Sequence, residues 1–244
     1  MNIEKLAQII NESKNIVFFG GAGVSTASNI PDFRSSNGLF SEKLKKRFTP
    51  EQLVSHTFYV RYPADFFEFY KSKLIYPNAK PNNCHIALYE LEKMGKLKAI
   101  VTQNIDGLHQ MAKSKNVFEL HGSVHRNYCE KCNAFYDADY ILNSNGIPTC
   151  ERCKGIVKPD VVLYEEGLDD NIVMGAINAI KNADTLIIGG TSLVVYPAAG
   201  LIDYFKGKNL VLINKSSTSA DSKANLVIND DIDKVFYEVM KLVR

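Results

Sequence analysis

The chain has 244 residues, 45% of them apolar and 23% charged, with a formal net charge of +2. That length suits one large domain or a domain carrying a smaller module, and the balanced charge leaves no electrostatic footprint for nucleic acid. The longest apolar runs, such as Leu186–Ile188 and Leu210–Ile213, are too short to span a bilayer, and Met1–Ser13 lacks the continuous apolar core of a secretion signal. A cytosolic protein is expected, with neither membrane nor nucleic acid as a direct partner.

In chain order, Ile3, Leu6, Ala7 and Ile10 keep helical spacing, and Ile16–Phe19 forms a short apolar run ending at Gly20-Gly21. The stretch Arg34–Lys80 is rich in aromatics at a helical rhythm. A helix is predicted over Cys84–Met94 and a buried strand over Ala99–Thr102. The cysteine segment, Ser123–Val157, breaks the alternation. Helix and strand then resume: Asn171–Asn182, Thr185–Gly190, Ala198–Phe205, Leu210–Asn214 and Leu226–Ile228. Ile232, Val235, Phe236, Val239 and Leu242 mark one face of a terminal helix. Apolar strands without polar alternation, separated by helices, predict an α/β fold with a parallel sheet covered on both faces. The expected architecture is a doubly wound, Rossmann-like domain formed by residues 1–34, 81–122 and 158–244. Residues 35–80 are read as a helical insertion and 123–157 as a zinc-binding insertion, the two packing together as a small module.

Cys129-Glu-Lys-Cys132 and Cys150-Glu-Arg-Cys153 have the spacing of a structural zinc site. Each C-x-x-C turn presents two sulfurs to one point, and four thiolates close the metal's coordination shell, which leaves no position for a substrate. Two disulfides are the rival reading and need an oxidising compartment. Cys84 is expected to be a packing residue.

Gly20-Gly21-Ala22-Gly23-Val24-Ser25-Thr26 follows the first strand, where glycines let a backbone approach a pyrophosphate and a following helix N-terminus favours negative charge. As a dinucleotide fingerprint it is imperfect, because Thr26 stands where a third glycine or alanine belongs. No acidic residue closes a second strand some 20 positions later, as NAD dehydrogenases require, so hydride transfer is disfavoured. Ile30-Pro31-Asp32-Phe33-Arg34, Thr102-Gln103-Asn104-Ile105-Asp106 and His121-Gly122 come next, ahead of the paired cysteines.

With these motifs in this order, from about Asn15 to the C-terminus, the chain resembles the sirtuin family of NAD-dependent protein lysine deacylases. The resemblance implies cleavage of the bond between nicotinamide and ribose, the acyl oxygen of an acyl-lysine substrate taking the vacated carbon. The products are nicotinamide, O-acyl-ADP-ribose and free lysine. NAD is consumed as a co-substrate, one zinc is structural, and the partners are acyl-lysine proteins or peptides. By the same resemblance His121 is the base, a role that suits an imidazole at neutral pH. Asn104 orients ribose and a water, Gln103 binds the ribose on the nicotinamide side, and Ile105 and Asp106 grip the carboxamide. Gly21, Ala22, Gly23 and Thr26 fall to the phosphates, and Asp32, Phe33 and Arg34 to the family's cofactor loop. Gly190, Thr191 and Ser192 form a second nucleotide contact, Asn214 meets the adenosine ribose, and Ile232 packs near adenine. Val161, Val162 and Tyr164 match the segment that pairs with substrate peptide as a strand. His56, His85, His109 and His125 are read as core or capping residues.

The chain departs from the family at three places. Tyr164-Glu165-Glu166 replaces the frequent Phe-Gly-Glu, so that Glu165 brings bulk and charge either to the peptide groove or to solvent. Asn29 stands where glycine is usual, a residue that tolerates the left-handed conformation. Tyr70-Lys71-Ser72-Lys73 lies where relatives that remove acidic acyl groups carry Tyr-x-x-Arg, so deacetylation, or removal of longer apolar acyl chains, is favoured. ADP-ribosyl transfer to protein and a non-catalytic, NAD-responsive binding module are the competing functions.

Overall fold

A computed structural model describes residues 2–32 and 48–244. In the first half of the chain lie α1 (Asn2–Glu12), β1 (Ile16–Gly20), α2 (Pro50–Leu53), α3 (His56–Arg61), α4 (Pro63–Lys73), α5 (Asn83–Lys93), β2 (Leu97–Thr102), α6 (Leu108–Met111) and β3 (Val117–Glu119). The second half contributes β4 (Gly122–Cys129), β5 (Phe135–Tyr136), α7 (Ala138–Asn143), β6 (Val157–Val161), α8 (Asp170–Lys181), β7 (Thr185–Gly189), β8 (Asn209–Ile213), β9 (Leu226–Ile228) and α9 (Ile232–Val239).

Six strands form a parallel sheet in the order β3-β2-β1-β7-β8-β9. Successive residues of β1 serve opposite faces: Ile16 and Phe18 join the core beneath α1, α5 and α9, while Val17 and Phe19 join the core beneath α8. Both faces are therefore apolar, which is why the strands read as continuous hydrophobic runs. Each fully buried phenylalanine contributes about 1.5–3 kcal/mol through the water it sheds. Helices α5, α8 and α9 begin on side-chain caps. Asn82 accepts from the Cys84 and His85 N–H groups, Asp169 from Asn171 and Ile172, and Asp231 from Asp233.

A second sheet, β5-β4-β6, is antiparallel, and its β4–β6 register breaks between Gly122 and Asn127. Its core is shared with the helical segment: Phe66, Phe67 and Tyr70 pack with Val124, Tyr136, Ile141 and Val157. The helical and cysteine segments thus bury one joint core, which neither segment is long enough to complete alone.

Several elements differ from the sequence reading. β3 is too short for periodicity to reveal, and β4 loses its alternation at the register break. Ala198–Phe205 forms a 3-10 helix over Ala198–Tyr204 in place of an α-helix. Pro197 has no N–H and Gly200 is a weak helix former, so i→i−3 bonds such as Gly200 N–H to Pro197 C=O and Phe205 N–H to Ile202 C=O take over.

Candidate active site

The strand order reverses between β1 and β7, and ligands of open α/β sheets bind outside the carboxyl ends of strands at such a point. A cavity of about 580 Å³ opens there. The turn after β1 supplies Gly21, Ala22, Gly23, Thr26 and Asp32; the loop after β2 supplies Gln103, Asn104, Ile105 and Asp106. His121 enters just past β3, and Gly190, Thr191 and Ser192 follow β7. Asn214 follows β8, Ile232 opens α9, and Val161, Val162 and Tyr164 come from the end of β6 and beyond. All the candidate catalytic, cofactor and peptide residues that fall among those described therefore line one cavity, apart from the cysteine cluster; Phe33 and Arg34 lie outside the described residues.

The glycines at this crossing are fixed by close backbone approach. Gly23 N–H donates to the Gly190 carbonyl at 2.8 Å, and Gly190 has a φ of +60°. A Cβ on Gly23 would come within 2.8 Å of the Gly190 Cα, so larger residues are excluded here. The expected helix after this turn is replaced by two single 3-10 turns, Ala22–Val24 and Thr26–Ser28. The second ends at Asn29 in the left-handed conformation expected of it, with φ +63°.

Ser25, which the candidate residues omitted although it closes the Gly-Ala-Gly-Val-Ser motif, is fully buried at the centre of the site. Its hydroxyl donates to Asp106 Oδ2 at 2.6 Å and accepts from Asn104 Nδ2 at 3.1 Å. Asp106 Oδ1 also accepts the Leu108 N–H, so the residue starts a helix as well as facing the cavity. Burial pushes the Asp106 carboxyl above its ordinary value, partly offset by the Ser25 and Leu108 hydrogen bonds and by His125.

His121 Nδ1 lies 2.9 Å from the Gln103 carbonyl oxygen. A carbonyl only accepts, so Nδ1 carries the proton and the basic lone pair resides on Nε2. Burial holds this imidazole below its usual pKa, while the Gln103 bond works the other way, so the ring is neutral at pH 7. Gln103 Nε2 donates in turn to Thr191 Oγ1 at 3.1 Å, which ties the β2 loop to the β7 loop.

The other histidines divide by position. His85 and His109 are buried with their ring centroids 4.7 Å apart, and His85 belongs to the Asn82 capping box. His125 Nε2 donates to the Asp106 carbonyl at 2.9 Å, and His56 Nδ1 pairs with Glu166 at 2.9 Å.

The segment after β6 is held against the helical insertion by Tyr164 N–H to Val54 C=O and His56 N–H to Tyr164 C=O, both 2.9 Å. Glu165 has a φ of +77°, and its carboxylate accepts the Thr57 N–H at the start of α3 at 2.8 Å. Hydrogen bonds from the Thr57 hydroxyl and N–H hold that carboxylate below its usual value. The Tyr70–Lys73 stretch does not act as a unit. Tyr70 is wholly buried against Phe66, Lys71 donates to Ser144 and Gly146, and Lys73 alone of the four reaches the cavity. Val195 and Tyr196 line the same cavity, two residues that periodicity could not single out because they lie in a loop.

The four Sγ atoms of Cys129, Cys132, Cys150 and Cys153 lie within 4.8 Å of one another, with Cys129–Cys153 at 3.4 Å and Cys132–Cys150 at 3.5 Å. Tetrahedral zinc with thiolate bonds near 2.3 Å sets sulfurs about 3.8 Å apart, so the cluster fits one zinc ion. Tyr136 accepts the Glu151 N–H at 2.9 Å, which leaves its hydroxyl proton for Cys150 Sγ at 3.2 Å. Among the described residues, no helix is long and apolar enough to cross a membrane.

Comparison with known proteins adds three findings. A model of the Sir2 family matches residues 21–197. The NAD-dependent protein deacetylase of Clostridium perfringens is 75% identical over 98% of both chains, and that of Clostridium acetobutylicum is 62% identical over the same share. Among solved structures, a Sir2 complex with a p53 peptide and NAD+ superposes with a TM-score of 0.87 at 38% identity, covering 99% of this chain and 98% of that one. A Sir2 protein bound to a propionylated peptide gives a TM-score of 0.86 at 37% identity, with the same coverage.

Proposed function

The chain belongs to the Sir2 family, and from that premise we propose that it removes acyl groups, acetyl foremost, from lysines of proteins or peptides at the expense of NAD. One arrangement carries the reading: His121, locked by Gln103 into the tautomer whose free nitrogen is Nε2, shares a cavity with the Ser25–Asn104–Asp106 network.

NAD supplies a ribose carbon whose bond to nicotinamide can be broken. The crossing of Gly21, Ala22 and Gly23 with Gly190 holds the phosphates against backbone, with Thr26, Thr191 and Ser192 beside it. Asn214 and Ile232 receive the adenosine end, and Asp32 borders the nicotinamide end; Phe33 and Arg34 are assigned to the cofactor loop by the family resemblance alone. Asp106 accepts the carboxamide N–H₂ while Ile105 packs against its ring. Asn104 and Gln103 orient the ribose, and His121 Nε2 takes a proton from a ribose hydroxyl. Val161, Val162 and Tyr164 offer the edge on which the substrate peptide lies.

The domain organisation we propose is a nucleotide-binding part of residues 1–34, 81–122 and 158–244, with a helical insertion at 35–80 and a zinc-binding insertion at 123–157. The nucleotide-binding part lends residues 158–161 to the small sheet. The zinc shell is closed and serves the fold. A thiolate cluster survives in a reducing compartment, which supports a cytoplasmic location, with neither membrane nor nucleic acid as a partner.

Mass spectrometry of acetyl-, succinyl- and myristoyl-lysine peptides, with and without NAD, tests the reading on wild type and His121→Ala. NAD-dependent loss of an acyl group in wild type alone is expected. Transfer of an adenine-labelled group from NAD to protein, with every peptide intact, would establish ADP-ribosyl transfer instead. Intact NAD binding with neither reaction would leave an NAD-responsive binding module.

A further inference from the structure

His121 sits in a two-residue connection, Leu120–His121, between β3 of the large sheet and β4 of the small one. Leu120 N–H donates to the Thr102 carbonyl at 2.9 Å, and Val162 N–H donates to the His121 carbonyl at 3.0 Å. These bonds anchor the connection at each end. Beside this connection, one side chain of β4 bonds both the last residue of β3 and a residue of β6.

That side chain is Arg126. It lies where the β4–β6 register breaks, between Gly122 and Asn127, so its stretch of β4 is released from pairing and faces the site loops instead. Val124 N–H donates to the Ile105 carbonyl at 3.0 Å, and His125 Nε2 reaches the Asp106 carbonyl. Arg126 Nη1 donates to the Glu119 carboxylate and Nε to the Asp160 carboxylate, both at 2.7 Å. Glu119 ends β3 immediately before Leu120–His121, and Asp160 sits on β6 against Gly122, immediately after His121. One planar guanidinium thus fastens both flanks of the connection. The Glu119 side chain is only 9% exposed, so without Arg126 a nearly buried carboxylate would lose its cation. Arg126 itself does not line the cavity.

We propose that Arg126 is a positioning residue for His121. It holds β3 and β4 at the angle that keeps Nδ1 on the Gln103 carbonyl and Nε2 as the basic nitrogen. The proposal rests on the reading of His121 as the base. Lysine keeps the charge but cannot grip two carboxylates in a fixed fork.

The test uses the zinc-loaded full chain with Arg126→Gln, Arg126→Lys, Asp160→Asn and His121→Ala. In Arg126→Gln, kcat is expected to fall about 10- to 100-fold, the scale of a misplaced catalytic group, with KM for NAD and zinc content unchanged. The ¹⁵N shifts of the His121 ring should report a mixture of tautomers in place of the single Nδ1–H form. Arg126→Lys and Asp160→Asn should lie in between, and Asp160→Asn carries the same readings should Arg126→Gln fail to fold. A kcat within twofold of wild type with unchanged ring shifts overturns the proposal. So does a loss of kcat that follows loss of zinc or of NAD binding, since Arg126 would then only support the fold. An active His121→Ala removes the base reading and this proposal together. An inactive His121→Ala beside a fully active Arg126→Gln removes the positioning role alone.

Discussion

Gly122 approaches Asp160 so closely that a Cβ on the glycine would overlap the Asp160 carbonyl oxygen, and its φ of +73° lies in the left-handed region. The residue following His121 is therefore restricted twice over, by space and by backbone conformation. Gly122→Ala should destabilise the protein by about 2 kcal/mol or more, the left-handed conformation alone costing roughly 1–2 kcal/mol. At about 2–4 °C per kcal/mol for a chain of this size, thermal unfolding would show the drop. A melting temperature equal to wild type would contradict the close approach.

The buried Ser25 hydroxyl serves Asn104 and Asp106 at once. Ser25→Ala strands both partners, and each buried polar group left unmatched costs about 1–3 kcal/mol. Nicotinamide inhibition, read as Ki in a deacylation assay, should weaken about tenfold in Asp106→Asn, because a charged acceptor is lost. Ki unchanged in Asp106→Asn would remove that residue from nicotinamide recognition.

His85 and His109 tie stability to pH. Burial pulls His85 down to about 4 and His109 well below the ordinary histidine value, with His85 adding to the effect at His109. In the unfolded chain both take up a proton near pH 6.5, whereas the folded rings stay neutral, so the unfolded state binds more protons below that pH. Stability contributed by the pair is complete above about pH 6.5 and is lost as pH falls toward 4, at up to about 1.4 kcal/mol per pH unit for each ring. Urea unfolding at pH 7.0 and 5.5 measures the slope, and His85→Gln should reduce it. Identical slopes in wild type and variant would place the acid sensitivity elsewhere.

Chelation should release one zinc per chain and melt the core shared by the cysteine and helical segments, because binding at such a cluster is partly folding energy. The Tyr136 hydroxyl bond to Cys150 Sγ adds a finer expectation: Tyr136→Phe should speed zinc release to a chromogenic chelator about fivefold, the equivalent of about 1 kcal/mol. Equal release rates would show that the hydroxyl does not stabilise the bound metal.

The parallel sheet was legible because Ile16–Phe19, Thr185–Gly190 and Leu210–Asn214 are buried on both faces and punctuated by glycine or asparagine. The cysteine cluster was legible because its spacing is itself the geometry. β3 was not, since three residues carry no period, and the small sheet was hidden by the break in β4. Ser25 and Arg126 share another reason. A buried serine and a strand arginine acquire meaning only from partners 81, 79, 7 and 34 positions away. Along Tyr70–Lys73, matched by resemblance to a Tyr-x-x-Arg motif, α4 distributes the residues among the core, a neighbouring loop and the cavity, a separation that a linear motif does not show.

The bridge between Tyr164 and residues 54–56 has an evolutionary corollary. The nucleotide wall of the cavity is built from strand ends of the large sheet, whereas the wall assigned to peptide is latched to the helical insertion. Insertions or substitutions around α2 and α3 can therefore re-aim the peptide wall while the nucleotide wall keeps its shape. Substrate preference can diversify along a lineage without the cofactor side having to be reinvented.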